Sequence, residues 1–82
     1  MDPDIILEVY ASSTSITTER VLSFAVKAQD VDCRIKLLVG IPRFESKAVE
    51  LAEHYNLELL TVREREMFVE TVANYILSRK VS

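Results

Sequence analysis

The sequence predicts an α/β domain, a βαβαβα chain with a short, mainly parallel three-stranded sheet in two or three layers. Three observations carry that expectation. The hydrophobic period switches repeatedly between near-continuous apolar runs and three-to-four spacing, and each switch falls at a turn or cap signal. Strand and helix alternate strictly, which is the pattern of right-handed crossovers between parallel strands. The strand segments are almost wholly apolar, as a sheet covered on both faces requires.

The elements follow in order. Ile5 to Tyr10 (IILEVY) reads as a buried strand closed by the polar loop Ala11-Ser12-Ser13-Thr14-Ser15. From Thr17 to about Asp30 the spacing is helical, with Val21, Leu22, Ala25, Val26 and Ala28 as the apolar set. Thr17 is placed to cap that helix and Ile16 to staple onto Val21. Ile35 to Val39 is the second strand, ended by Gly40-Ile41-Pro42. Ser46 to Tyr55 forms the second helix, with Val49, Leu51 and Ala52 at helical spacing. Phe44 is placed to staple onto Val49, and Asn56 suits a left-handed position after the last turn. Leu57 to Thr61 is the third strand. Thr61-Val62-Arg63-Glu64 has capping-box spacing for a last helix that carries Met67, Phe68, Val72, Tyr75 and Ile76 on one face and ends on the basic pair Arg79-Lys80.

Composition sets the limits. Eighty-two residues, 49% apolar and 28% charged, suffice for one domain with a small core. One cysteine and one histidine exclude an internal disulfide and a Cys/His zinc set, so packing alone must hold the fold, which suits a reducing cytoplasmic setting. No apolar run exceeds three residues, against about 20 for a membrane span, and no basic-then-apolar leader opens the sequence. The net charge of −3 gives a nucleic-acid partner no support from overall charge. A sheet of three strands exposes two edges, which predicts a homodimer or a protein partner that covers one.

Each strand carries one interior charge: Glu8, Lys36 and Glu58. Either register aligns them, with Lys36 between two carboxylates, or each points out where the sheet is open. Glu8 stands near the C-terminal end of its strand, where α/β sheets place ligands. The loop after it offers hydroxyls, including those of Ser12 and Ser13, and backbone N–H groups close to a helix start, while Arg43 follows the second strand at the same edge. Glu8, Ser12, Ser13 and Arg43 are therefore the candidate contacts for an anionic ligand or nucleic acid, although the loop lacks the glycines of a phosphate cradle. Cys33 has no neighbouring base or second thiol and is expected to be buried at a strand start. His54 has no triad or metal-ligand spacing around it and is expected to face solvent. Arg63-Glu64-Arg65-Glu66 reads as a solvated helix start. No catalytic set, metal site or cofactor site is expected.

Taken together, IILEVYASSTSITTERVLSFAVKAQD and RIKLLVGIPRFESKAVELAEHYNLELLTV resemble the C-terminal part of the restriction-endonuclease-like superfamily, in its Mrr-type branch. Gly40, Phe44, Ala48, Glu50-Leu51-Ala52 and Leu57-Glu58-Leu59 fall in the order that this family shows after its (D/E)-x-K strand. The resemblance implies a metal-dependent nuclease ancestry with a degenerate site. Glu8 matches the acidic position, Tyr10 stands where the lysine belongs, and the other metal-binding aspartate has no counterpart on a preceding strand. Pro3-Asp4 is too close to Glu8 to supply it, and Lys27 on the first helix is a conceivable migrated lysine that nothing in the sequence singles out. Two function classes follow. One is a catalytically degenerate, dimeric binding or scaffold module; the other is a flavodoxin-like or thioredoxin-like small domain that binds an anion at Ser12–Ser15. A parallel third strand favours the flavodoxin-like form and an antiparallel one the thioredoxin-like form.

Overall fold

The structure, a computed structural model, describes the backbone of residues 5–81 and the side chains of residues 5–79. Pro3-Asp4 and the Lys80 side chain lie outside the described residues. The elements are β1 (Ile5–Ala11), α1 (Thr18–Gln29), β2 (Ile35–Ile41), α2 (Ser46–His54), β3 (Glu58–Thr61) and α3 (Phe68–Val81), with a 3-10 turn over Arg65–Met67 before α3. The strands run parallel in the order β1-β2-β3. Both connecting helices contribute to one core and lie on one face, as two crossovers of the same hand in one direction require. The last helix covers the other face, so the domain has three layers. A parallel β3 excludes the thioredoxin-like alternative, while the order 1-2-3 lacks the strand reversal of a flavodoxin-like sheet.

Each face has its own core. On the first, Leu38 of β2 packs with Ile16, Val21, Phe24, Ala25, Ala28, Ala48, Ala52 and Leu57. Four of these are alanines, two on α1 and two on α2, and small side chains there let both helices lie close to the sheet and to each other. On the second, Ile35, Leu37, Val39 and Ile41 of β2 meet Val62 and Val72. Strand β2 is thus buried on both sides, which explains why its sequence is apolar apart from Lys36. Edge strand β1 is not. Ile5 packs against the second core, but Leu7 and Val9 remain 36% and 37% exposed.

The buried stripe of α1 is Val21, Phe24, Ala25 and Ala28, whereas Leu22 and Val26 face solvent. On α2 the stripe is Ala48 and Ala52, with Leu51 and Tyr55 beside it, and Val49 is exposed. Phe44 therefore does not staple onto Val49. Its ring lies against Gly40, which belongs to β2 instead of ending it. Asn56 takes the left-handed conformation (φ 58°) that closes α2. The capping box at Thr61 is not formed, because the chain runs through an exposed stretch and a 3-10 turn before α3 begins at Phe68, and Met67 stays exposed. Cys33 is half-buried in the loop before β2, where its Sγ donates to the Ile35 carbonyl (3.4 Å), so the expected burial at the strand start is not found. His54 is exposed, edge-on to the Tyr55 ring.

The register separates the three strand charges. Glu8 is level with Leu38 and Ile6 with Lys36, so Glu8 and Lys36 share the α1–α2 face. Glu58 is level with Leu37 and lies on the α3 face. No ladder through Lys36 forms. Lys27 of α1 donates instead to Glu8 (3.0 Å), and Glu58 accepts from Tyr75 and from Arg79 (2.7 Å). Burial first, then the hydrogen bond and charge of Glu58, push the Tyr75 phenol up to about 12. Its folded pKa is above the unfolded value of about 10, so the stability it contributes is complete below about pH 10 and is lost as the pH rises through the folded value. Absorbance titration of the phenols is expected to show a component near 12 that Tyr75→Phe removes. An unchanged titration in the variant would contradict this reading of the α3 face.

Candidate functional site

The loops that leave the C-terminal ends of β1 and β2 are stitched together. The Ser12 N–H donates to the Ile41 carbonyl (2.8 Å), the Ile16 N–H to the Arg43 carbonyl (2.7 Å) and the Glu45 N–H to the Ile16 carbonyl (3.0 Å). Ile16 and Phe44 form an isolated parallel bridge beyond the strands. Burial of Ile16 in the core and the fit of the Phe44 ring over Gly40 hold this extension in place. The two loops therefore form one platform at the sheet edge.

Side chains complete it. Thr14 N–H donates to Ser12 Oγ (3.2 Å), which folds the hydroxyl loop on itself. Arg43 Nε donates to Ser15 Oγ (3.2 Å) across the two loops. The guanidinium of Arg20, from the first turns of α1, lies 5.1 Å from the centre of the Tyr10 ring, within cation–π range. The start of α1 is already occupied: the Glu45 carboxylate accepts from Thr18 N–H (2.9 Å) and Thr18 Oγ1 (3.0 Å), while Thr17 Oγ1 accepts from Arg20 N–H (3.4 Å). Glu45 thus neutralises the positive end of the helix from a neighbouring element. Glu45→Ala is expected to cost about 1 kcal/mol, read as a lower urea midpoint with an unchanged slope.

Two concavities open on this edge. One, of about 190 Å³, is lined by Ser12, Thr14, Ser15, Thr17 and Arg20. The other, of about 410 Å³, is lined by Pro42, Arg43, Thr61 and Arg63. Among the described residues the ion pairs are Lys27–Glu8 and Arg79–Glu58, so Arg20, Arg43 and Arg63 all face this edge without a carboxylate partner. Unpaired guanidinium groups beside hydroxyls are suited to anions, to which they donate in a planar fork.

The four sequence candidates are thereby divided. Ser12 and Arg43 belong to the edge. Ser13 is exposed and lines neither concavity. Glu8 is set apart from them, within β1 and engaged by Lys27. Arg20, Glu45, Thr61 and Arg63 were not legible as members of the site. Glu45 reaches Thr18 across 27 positions of sequence, and Thr61 and Arg63 join the edge only because β3 ends beside β2, so none of these leaves a local signal.

A metal of the kind that the nuclease resemblance implies does not fit the residues present. No three His, Cys, Asp or Glu side chains come together among the described residues, and the Glu8 carboxylate is committed to Lys27. No helix among the described residues is long and apolar enough to cross a membrane. Comparison with protein-family descriptions, with curated proteins and with solved structures finds no match to this chain.

Proposed function

We propose that this chain is a non-catalytic, nuclease-like binding module that holds an anionic ligand at the C-terminal edge of its sheet, in a reducing cytoplasmic setting. The observation that carries this reading is the meeting of Arg20, Arg43 and Arg63, none paired with a carboxylate, around hydroxyl-lined concavities whose walls the Arg43–Ser15 bond joins. Glu8 and Lys27 hold each other as a partly exposed pair that solvent screens, instead of serving a cation. Inorganic phosphate is expected to bind the wild type, and Arg43→Gln to weaken binding at least tenfold by calorimetry. Incubation with DNA and RNA in Mg²⁺ or Mn²⁺ is expected to yield no cleavage; cutting that Glu8→Ala or Lys27→Ala abolishes would overturn the non-catalytic reading.

A second reading concerns assembly and rests on β1. Among the described residues this strand has one unpaired edge, and Leu7 and Val9 on one of its faces are 36% and 37% exposed. A second copy is the occupant that suits both, by antiparallel pairing of the two β1 strands about a twofold axis. The Leu7–Val9 strip then meets itself on one face. On the other, each Glu8 lies beside the second copy's Lys27, so the charges are complementary. Light scattering is expected to give a dimer that Leu7→Lys converts to a monomer, and a monomeric wild type would refute the pairing.

A further inference from the structure

The anion edge has a two-part construction that the binding reading alone does not require. The Arg43–Ser15 bond joins the concavity with Arg20 to the concavity with Arg63, since Ser15 lines the first and Arg43 the second. Arg43 uses Nε on Ser15, which leaves the donors of its two terminal nitrogens for the concavity that it lines. Each side adds its own arginine and hydroxyls, Ser12 and Thr17 with Arg20, Thr61 with Arg63.

Resting on the anion-binding reading, we infer that the ligand is a small molecule with two linked phosphate groups, one in each concavity, with the Arg43–Ser15 bond between them. A single phosphate satisfies only one half of this arrangement. A longer polyanion meets carboxylate: Glu64 follows Arg63 and shares with it a third groove. A net charge of −3 gives a nucleic-acid backbone no overall attraction, so recognition depends on these few directed bonds. A nucleoside diphosphate has the required chemistry.

Calorimetry with inorganic diphosphate, inorganic phosphate, ADP and a short single-stranded oligonucleotide tests the inference on the intact chain. Diphosphate and ADP are expected to bind at least tenfold tighter than phosphate. Arg20→Gln and Arg63→Gln are each expected to remove that advantage while sparing phosphate binding in the untouched half, and Arg43→Gln to weaken all of these anions. All three are exposed side chains, so circular dichroism should show the native fold in every variant. Equal affinity for phosphate and diphosphate, or an undiminished diphosphate advantage in Arg63→Gln, overturns the two-phosphate inference and leaves the anion-binding reading standing. Absence of binding by either inorganic anion defeats both. An oligonucleotide that binds more tightly than ADP overturns the small-molecule assignment.

Discussion

Replacing Phe24 by alanine is expected to destabilise the domain by about 3–5 kcal/mol. Phe24 is 0% exposed and is among the largest fully buried side chains, set between α1, α2 and the sheet in a core otherwise rich in alanine. Its neighbours Ala25, Ala28, Ala48 and Ala52 have no side-chain length with which to fill the space that the ring leaves, so the cavity cost adds to the lost transfer energy. An 82-residue domain has a total stability of only about 4–12 kcal/mol at the usual per-residue values, so the variant should be largely unfolded at temperatures that the wild type tolerates. Thermal melts followed by circular dichroism give the comparison. Leu22→Ala on the exposed side of the same helix should shift the midpoint much less, and equal losses in the two variants would contradict the assigned helix face.

Gly40→Ala is expected to cost about 1–3 kcal/mol and to weaken anion binding as well. A Cβ at Gly40 would stand 2.6 Å from both Cε2 and Cζ of Phe44 and 3.0 Å from Cε1, so the ring has to move. Phe44 pairs with Ile16 in the bridge that joins the two loops, and its displacement loosens the platform that positions Ser15 and Arg43. Chemical denaturation supplies the stability change. The double substitution Gly40→Ala/Phe44→Leu should recover part of it, because leucine vacates the ring positions, and strict additivity of the two single losses would rule out the ring-on-glycine contact as the cause.

The order and type of the elements were legible because each strand is a compact apolar run and each helix changes the period to three and four. The faces were less so. Along α1 the positions 21-24-25-28 and 22-26 both satisfy helical spacing, and only the position of the sheet decides that Phe24 is inside and Val26 is out. The last helix begins at Phe68 and not after Thr61, since the exposed run Arg63-Glu64-Arg65-Glu66 has no apolar contact to draw it into a helical turn packed on the sheet. Gly40 followed by Ile41-Pro42 reads as a turn locally, yet β2 continues through Ile41 because Gly40 is buried under Phe44 and both of its neighbours pack on the second core.

The site was partly legible for a similar reason. The rule that ligands gather where parallel strands end points to the Ser12 loop and Arg43, and the structure brings these two loops together at that edge. It selects Glu8 as well, but a residue level with Leu38 lies within the strand, and the lysine that engages it comes from 19 positions away. The helix start that the sequence offers to an anion is filled by Glu45, so the proposed anion site relies on arginine side chains and not on those backbone N–H groups.

Nuclear magnetic resonance of the ¹⁵N-labelled chain, titrated with inorganic phosphate and observed at both backbone and arginine Nε–H signals, tests the anion-binding edge most directly. The account predicts saturable shifts confined to the Ser12–Thr17 loop, to Arg43 and Phe44, and to Arg20 and Arg63, with the Glu8–Lys27 and Glu58–Arg79 regions unmoved. Shifts concentrated at those two ion pairs, or none at the sheet edge up to millimolar phosphate, would contradict it.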